Sequence, residues 1–158
     1  HGVWMFRRLL TGLGRAHDMG LVHGAVTPDN ILIGAADHAV VLIDWCYSVV
    51  IDDESKTDNS IKALVPMYKQ FYPEEVLAKE SATPATDLYM AARLMDWLIP
   101  VAPKPFRAFF KGVALTKQSM RPQNAWLLLE EFDLLLKKIG EPFYPRRWVE
   151  FTVPSAQN

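Results

Sequence analysis

The sequence HGAVTPDNILI at residues 23–33, followed by AVVLIDWC at residues 39–46, decides the fold of this chain. A polar segment leads into two short apolar runs, 31–33 and 39–43, which are rich in β-branched residues. A Gly/Asp turn separates the two runs, and that combination predicts a β-hairpin. Asn30 and Asp44 are the polar residues at its two ends.

The rest of the chain favours helices. Apolar residues recur at intervals of three to four, and the pattern stops at residues such as Gly20. This periodicity predicts helices over 3–19, 73–79, 84–99, 106–115 and 123–138. The last of them is so rich in apolar residues that we expect it to be well buried. The predicted fold class is therefore mainly α with a small β-hairpin.

Two segments lack a regular period. Residues 47–72 are polar, with an acidic stretch at 52–58, and predict a long exposed loop. Residues 141–158 are rich in aromatic residues and proline. We expect one domain over 1–140 and a tail over 141–158 that packs on it or extends from it. Within the tail, Arg146-Arg147-Trp148 predicts either a basic-aromatic patch for a partner or a strap packed on the domain.

Composition limits the possible functions. The chain has 158 residues and a formal net charge of -1, so no basic field indicates nucleic acid or an anionic membrane. No apolar run reaches the roughly 18 residues that span a bilayer. The single Cys46 excludes an internal disulfide framework and favours a cytoplasmic protein. Because the chain begins His-Gly-Val, we expect it to be a piece of a longer protein.

The stretch at 23–46 resembles the catalytic loop and metal-binding motif of the protein kinases, which read His-Arg-Asp, four variable residues, Asn, a hairpin and Asp-Phe-Gly. Further landmarks follow in the family's order. Glu75 matches the Ala-Pro-Glu glutamate, Asp87 matches the buried aspartate of the long central helix, and Arg121 matches the arginine that pairs with that glutamate. The resemblance implies a kinase-like C-terminal lobe whose N-terminal lobe is absent. It also implies structural roles for His23, Glu75, Asp87 and Arg121.

The sequence departs from the family where the chemistry occurs. Ala25 stands at the catalytic base position, and its methyl group cannot accept a proton. Thr27 replaces the catalytic lysine, and Gly24 replaces an arginine that pairs with phosphate on the activation loop. Phosphorylation could therefore not be sensed in that way at the candidate positions Ser55, Thr57 and Ser60.

The positions of the metal ligands are kept. Asn30 and Asp44 carry the hard oxygens that Mg²⁺ prefers, so the resemblance implies metal and cofactor binding there. We expect Mg-ATP in the full-length protein and no cofactor in this fragment. Both residues could instead be relics that hold the loop by hydrogen bonds. Asp29 and His23 are weak candidates for a substitute base.

Three functions stay open. The first is a pseudokinase that acts as a binding or regulatory module. The second is an active serine/threonine-type kinase with an unusual catalytic loop. The third is a small-molecule phosphotransferase of the aminoglycoside kinase type, which Gly24 and Trp45 resemble. The expected partners are another protein, the missing N-terminal lobe, or a second copy bound through the exposed cleft.

Three further residues carry chemistry in other proteins. We expect His17 and His38 to be ordinary surface or turn residues. We expect Cys46 to be a small packing residue, because no neighbouring cation in the sequence would make its thiol reactive.

Overall fold

The computed structural model describes residues 1–51 and 58–152. This part of the chain is mainly helical, with small two-stranded sheets. The helices are α1 (Gly2–Asp18), α2 (Glu74–Leu77), α3 (Pro84–Leu98), α4 (Lys104–Val113) and α5 (Ala125–Ile139). The strands are β1 (Leu21–Val22), β2 (Ile31–Ile33), β3 (Val40–Leu42) and β4 (Val49–Val50). The predicted mainly α class with a hairpin is compatible with this architecture.

The hairpin forms where the sequence predicts it. β2 and β3 pair antiparallel, with Ile31 opposite Leu42 and Leu32 opposite Val41. The amide of Gly34 donates to the carbonyl of Ala39 at 2.9 Å and closes the turn. The hairpin thereby connects the end of the loop at 23–30 to Asp44.

A second antiparallel pair joins β1 to β4 and was not predicted. Val22 lies opposite Val49, and the amide of Ile51 donates to the carbonyl of Gly20 at 2.7 Å. Gly20 has a φ of +72°, a conformation that favours glycine. This pair anchors the chain on both sides of the hairpin.

The core lies between α1, α3, α4 and α5. Phe6 of α1 is completely buried and makes edge-to-face contacts with Phe110 of α4 and Phe132 of α5, at centroid distances of 5.2 and 4.9 Å. Such geometry adds to the burial of each ring, which is worth about 2–3 kcal/mol. The helices therefore hold the loop at 23–30 on a rigid base.

The expectation of a well-buried last helix is wrong. α5 buries one stripe, formed by Ala125, Leu128, Phe132 and Leu136. On the opposite side Leu127 is 58% exposed and Leu134 is 62% exposed. The helix packs on α1 and α4 through one face only, so high apolar content does not mean burial all round.

The expectation of an exposed loop over 47–72 is also wrong in part. β4 lies within it, and Ile61 and Phe71 are each only 2% exposed. A 3₁₀ segment, Pro66–Phe71, follows. Single apolar side chains anchor this segment, and they give no periodic signal in the sequence. Residues 52–57, which include most of the acidic stretch together with Ser55 and Thr57, lie outside the described residues.

The described part of the tail packs on the helices. Phe143 contacts Phe106 of α4 edge to face at 4.8 Å. His38, predicted to be a surface or turn residue, lies in the hairpin turn but is only 6% exposed. Its ring stacks between the indoles of Trp4, at 4.2 Å, and Trp148, at 3.7 Å. This favours the strap interpretation of residues 146–148. The division at residue 140 stays a prediction.

The spacing between α3 and α4 agrees with the short proline-rich connection read from the sequence. α3 ends at Leu98 and α4 begins at Lys104. None of the helices in the described ranges has both the length and the apolar character that crossing a bilayer requires.

Candidate functional site

A buried carboxylate holds the start of the loop at 23–30. Asp87 lies on α3 and is inaccessible to solvent. The backbone amides of His23 and Gly24 donate to its two oxygens at 2.7 and 2.9 Å. Two backbone donors at the loop are thereby satisfied away from water, which fixes the loop against the helix.

His17 is a third partner of Asp87, and the expectation of a surface histidine is wrong. Its Nε2 lies 2.9 Å from Oδ2 of Asp87, and its side chain is 8% exposed. A signal for this existed in the sequence, because His17 lies four residues after the buried Leu13 and thus on the same face of α1.

Ala25 and Thr27, which the resemblance places at the catalytic base and lysine positions, have buried, neutral side chains. Ala25 and Thr27 have no exposed surface. Asn30 donates from Nδ2 to the carbonyl oxygen of Ala25 at 3.0 Å. Among the described residues, the hydroxyl of Thr27 has no hydrogen-bond partner. The loop keeps its shape through backbone contacts and has no charge at either position.

Gly24, which stands where the kinases that the sequence resembles have an arginine, lies where a side chain does not fit. Its φ is +76°, and a Cβ atom added there would lie 2.7 Å from the carbonyl oxygen of Tyr47. Any L side chain meets both an unfavourable backbone conformation and a steric clash. The turn at 45–47 therefore occupies the space that an arginine side chain would need.

His23 uses both ring nitrogens to hold the loop. The amide of Ala25 donates to Nδ1 at 3.2 Å, and Nε2 lies 3.0 Å from the carbonyl oxygen of Ile43. This pair of contacts fits the neutral tautomer with its proton on Nε2. A histidine held in this way is poorly placed to accept a proton from a substrate.

The turn at Asp44 is tied to the loop by its backbone. The amide of Ile43 donates to the carbonyl of Asn30 at 3.0 Å. Asp44 itself is exposed and has a φ of +60°, which is strained for a residue other than glycine. The two predicted metal ligands, Asn30 and Asp44, therefore lie next to this hydrogen bond at the end of the hairpin.

Cys46 is exposed, so the expectation of a packing residue is wrong. Its thiol donates to Oδ1 of Asp44 at 2.8 Å. That hydrogen bond to the carboxylate raises the pKa of the Cys46 thiol. The thiol therefore stays protonated at neutral pH and is poorly nucleophilic.

Metal binding at Asn30 and Asp44 stays a prediction. The described residues contain no group of three or more His, Cys, Asp or Glu side chains arranged to hold a metal. Asn30 and Asp44 offer an amide oxygen and a carboxylate. Mg²⁺ commonly takes one or two such ligands and completes its shell with phosphate oxygens and water.

Asp29 turns away from the loop. It is exposed, and Oδ1 accepts a hydrogen bond from the hydroxyl of Tyr68 at 2.7 Å. That hydrogen bond raises the pKa of Tyr68. Asp29 thus helps to fix the 3₁₀ segment at 66–71 and is engaged outside the loop.

A second buried group consists of Glu75 and Arg121. Two nitrogens of Arg121 donate to the two oxygens of Glu75 at 2.6 and 3.0 Å, and the side chains are 0% and 5% exposed. Arg121 also donates to the carbonyls of Leu115 and Thr116, at 2.5 and 2.6 Å. Thr86, which the sequence analysis missed, donates to Glu75 at 3.1 Å. The network ties α2 and α3 to the segment before α5.

An apolar surface lies on the hairpin. Leu32 and Val41 are opposite each other in β2 and β3, and they are 54% and 49% exposed. Neighbouring side chains on one face of a hairpin form a continuous surface.

Comparison with known proteins shows distant similarity to a kinase. The chain is 29% identical over 120 residues to the serine/threonine-protein kinase PknH of Mycobacterium bovis, and equally to PknH of Mycobacterium tuberculosis. The match covers 76% of this chain and 19% or 18% of those proteins. The chain thus spans about a fifth of the length of the curated relatives it matches. No family model matches it.

Proposed function

We propose that this chain is the C-terminal lobe of a protein kinase-like domain that lacks the catalytic base, and that it acts as a pseudokinase, in a binding or regulatory role. The distant similarity to a serine/threonine kinase supports the kinase-like relation. The order of landmarks from His23 to Arg121, read from the sequence, supports the assignment to this lobe.

The observation that supports an inactive domain is the buried methyl group of Ala25. Phosphoryl transfer needs a group that orients the attacking hydroxyl and accepts its proton. Ala25 offers neither, and the possible substitutes are engaged elsewhere, Asp29 with Tyr68 and His23 with Ile43. The loop is nevertheless held in a defined shape by Asp87 and Asn30.

Asn30 and Asp44 are the residues that would hold Mg-ATP in the full-length protein. The nucleotide would supply phosphate oxygens that complete the shell of the magnesium ion. In this proposal the domain binds the nucleotide without transferring its phosphate. The buried Glu75–Arg121 pair favours the protein kinase branch over the aminoglycoside kinase type.

The test uses the longest natural chain that contains this sequence. We expect Mg-ATP to bind in calorimetry and Asp44→Asn to weaken that binding. Phosphoryl transfer should be absent from the natural chain and from Ala25→Asn, and should be detectable in Ala25→Asp. Ala25→Asn is the matched control, because it adds similar volume without a base. Phosphate transfer by the natural chain, lost in Asp44→Asn, would show an active kinase instead.

The exposed hairpin surface of Leu32 and Val41 gives a separate prediction about partners. We propose that an N-terminal lobe, another protein or a second copy covers it. For this chain alone, light scattering should show self-association that Leu32→Ser/Val41→Thr reduces. A monomer that binds no apolar dye, unchanged by these substitutions, would contradict this part of the proposal.

A further inference from the structure

A cavity of about 320 Å³ lies away from the loop at 23–30. It is partly open to solvent and lies between the start of α1, α4, α5 and the tail. It shares no lining residue with the loop or the hairpin, so a ligand bound in it would be independent of the proposed function. Pockets that hold small ligands start at about this size.

The walls of the cavity are mostly apolar. Phe106, Phe110 and Phe132 lie beneath its floor and are each at most 3% exposed, so the surface open to a ligand comes from partly exposed residues such as Val3, Ile99 and Phe143. Water in such a space finds few hydrogen-bonding partners. An apolar body that replaces the water is therefore favoured.

Among the described residues, the charged side chains that line the cavity are Arg7, Arg146 and Arg147, and the N-terminal residue His1 lies beside them. Arg7 donates two hydrogen bonds to Asp133, at 2.6 and 2.9 Å, and Arg147 donates one to Glu141 at 2.7 Å. Arg146 makes no hydrogen bond or ion pair to a described residue, and its charge acts on Asp133, which is paired with Arg7. Among the described residues no carboxylate lines the cavity, so its cationic rim favours an anion. A guanidinium group matches a carboxylate with two parallel hydrogen bonds.

We propose that this cavity binds an amphipathic monocarboxylate, with its apolar body against Val3, Ile99 and Phe143 and its carboxylate at Arg146. The tail is then part of a ligand site and not only a packed strap.

The test compares three probes with the same chain on the 158-residue protein: decanoate, decanol and decylamine, each below its aggregation limit. Binding is measured by calorimetry and by the intrinsic fluorescence of the five tryptophans, of which Trp4 lines the cavity. We expect saturable binding of decanoate, about tenfold tighter than decanol, which corresponds to one charge-assisted contact. Decylamine should bind most weakly.

Two variants locate the site. Arg146→Gln should remove the preference for decanoate over decanol, whereas Arg8→Gln, the same charge change at an exposed position of α1 that does not line the cavity, should keep it. Val3→Phe should narrow the cavity and weaken the binding of both probes at an unchanged melting temperature. Equal affinity for decanoate and decanol, binding unaffected by Arg146→Gln, or no saturable binding would overturn the proposal.

Discussion

The network around Arg121 and the loop at 23–30 differ in how they use charge. In the network, a buried guanidinium and a buried carboxylate meet directly, and further hydrogen bonds from Thr86 and to backbone carbonyls complete them. In the loop, the positions that carry charges in the kinases it resembles hold Gly24, Ala25 and Thr27. The loop is largely buried all the same, and its polar contacts join backbone groups to the side chains of Asp87, Asn30 and His23.

This difference indicates that the shape of the loop does not depend on charged side chains at positions 24, 25 and 27. A buried charge is costly unless a partner is present, so removing one member of a pair such as Glu75–Arg121 should strongly destabilise the protein. The loop keeps its shape through Asp87 and Asn30, which do not require a charge at position 25. A well-formed loop is therefore no sign of catalysis in this molecule, and its variants should affect stability less than variants of the network.

The largest expected effect is the loss of one partner of the buried pair. Arg121→Met leaves the carboxylate of Glu75 buried without its guanidinium, which should lower the free energy of unfolding by about 3–5 kcal/mol. The free energy is measured by urea unfolding monitored by fluorescence. The double variant Arg121→Met/Glu75→Leu serves as control and should recover most of the loss, because no unpaired charge remains. Equal losses in the single and double variants would contradict the role given to the pair.

Asp87→Asn should have the next largest effect. The amide nitrogen of asparagine would face a backbone donor, either the amide of His23 or that of Gly24, and one buried donor would lose its partner. We expect a loss of about 2–3 kcal/mol in the free energy of unfolding. Asp96→Asn, the same change at a partly exposed position of the same helix, should cost less than about 0.5 kcal/mol. Similar losses in the two variants would remove Asp87 from its proposed role.

Much of the framework was predictable from the sequence, because its signals are local. The hairpin follows from two β-branched runs around a turn, and the helices follow from periodic apolar residues. The contact between Glu75 and Arg121 was expected from the resemblance, and the structure brings the two side chains together. The assignment of Asn30 and Asp44 to a metal site stays a prediction.

The remaining features depend on contacts between distant segments. β1 and β4 have only two residues each, too few for a period to show. The burial of His38 depends on Trp4 and Trp148, which come from opposite ends of the chain. The one-sided burial of α5 depends on which helices pack against it. None of these contacts leaves a local pattern in the sequence.

Gly24→Ala tests the loop itself and should have an intermediate effect. The alanine must adopt a φ near +76°, and its methyl group approaches the carbonyl oxygen of Tyr47. We expect a loss of about 2 kcal/mol in the free energy of unfolding. Gly112→Ala is the matched control, because nothing lies within 4 Å of the added methyl, and it should stabilise α4 by up to about 1 kcal/mol. A gain in both variants would mean that the turn at 45–47 yields easily.

The smallest effect concerns a pair that is only partly buried. Arg7 and Asp133 are joined at 2.6 Å, with side chains 23% and 29% exposed. Burial opposes ionisation of Asp133, but the hydrogen bond from Arg7 and the charges of Arg7, Arg146 and Lys137 outweigh it and lower the pKa of Asp133. Because the folded pKa lies below the unfolded one, the pair stabilises the protein at neutral pH. That contribution is lost as the pH falls below about 4, towards the folded pKa.

Asp133→Asn should therefore cost only about 0.5–1 kcal/mol at pH 7, since solvent screens the pair. The difference in free energy of unfolding between the natural protein and the variant should shrink as the pH falls from 5 to 2.5, and 1 M salt should shrink it at pH 7. The Glu75–Arg121 pair is shielded from solvent, so its double-mutant coupling should change little with salt. A difference for Asp133→Asn that is the same at pH 2.5 as at pH 7 would mean that packing, and not charge, joins α1 to α5 at this point.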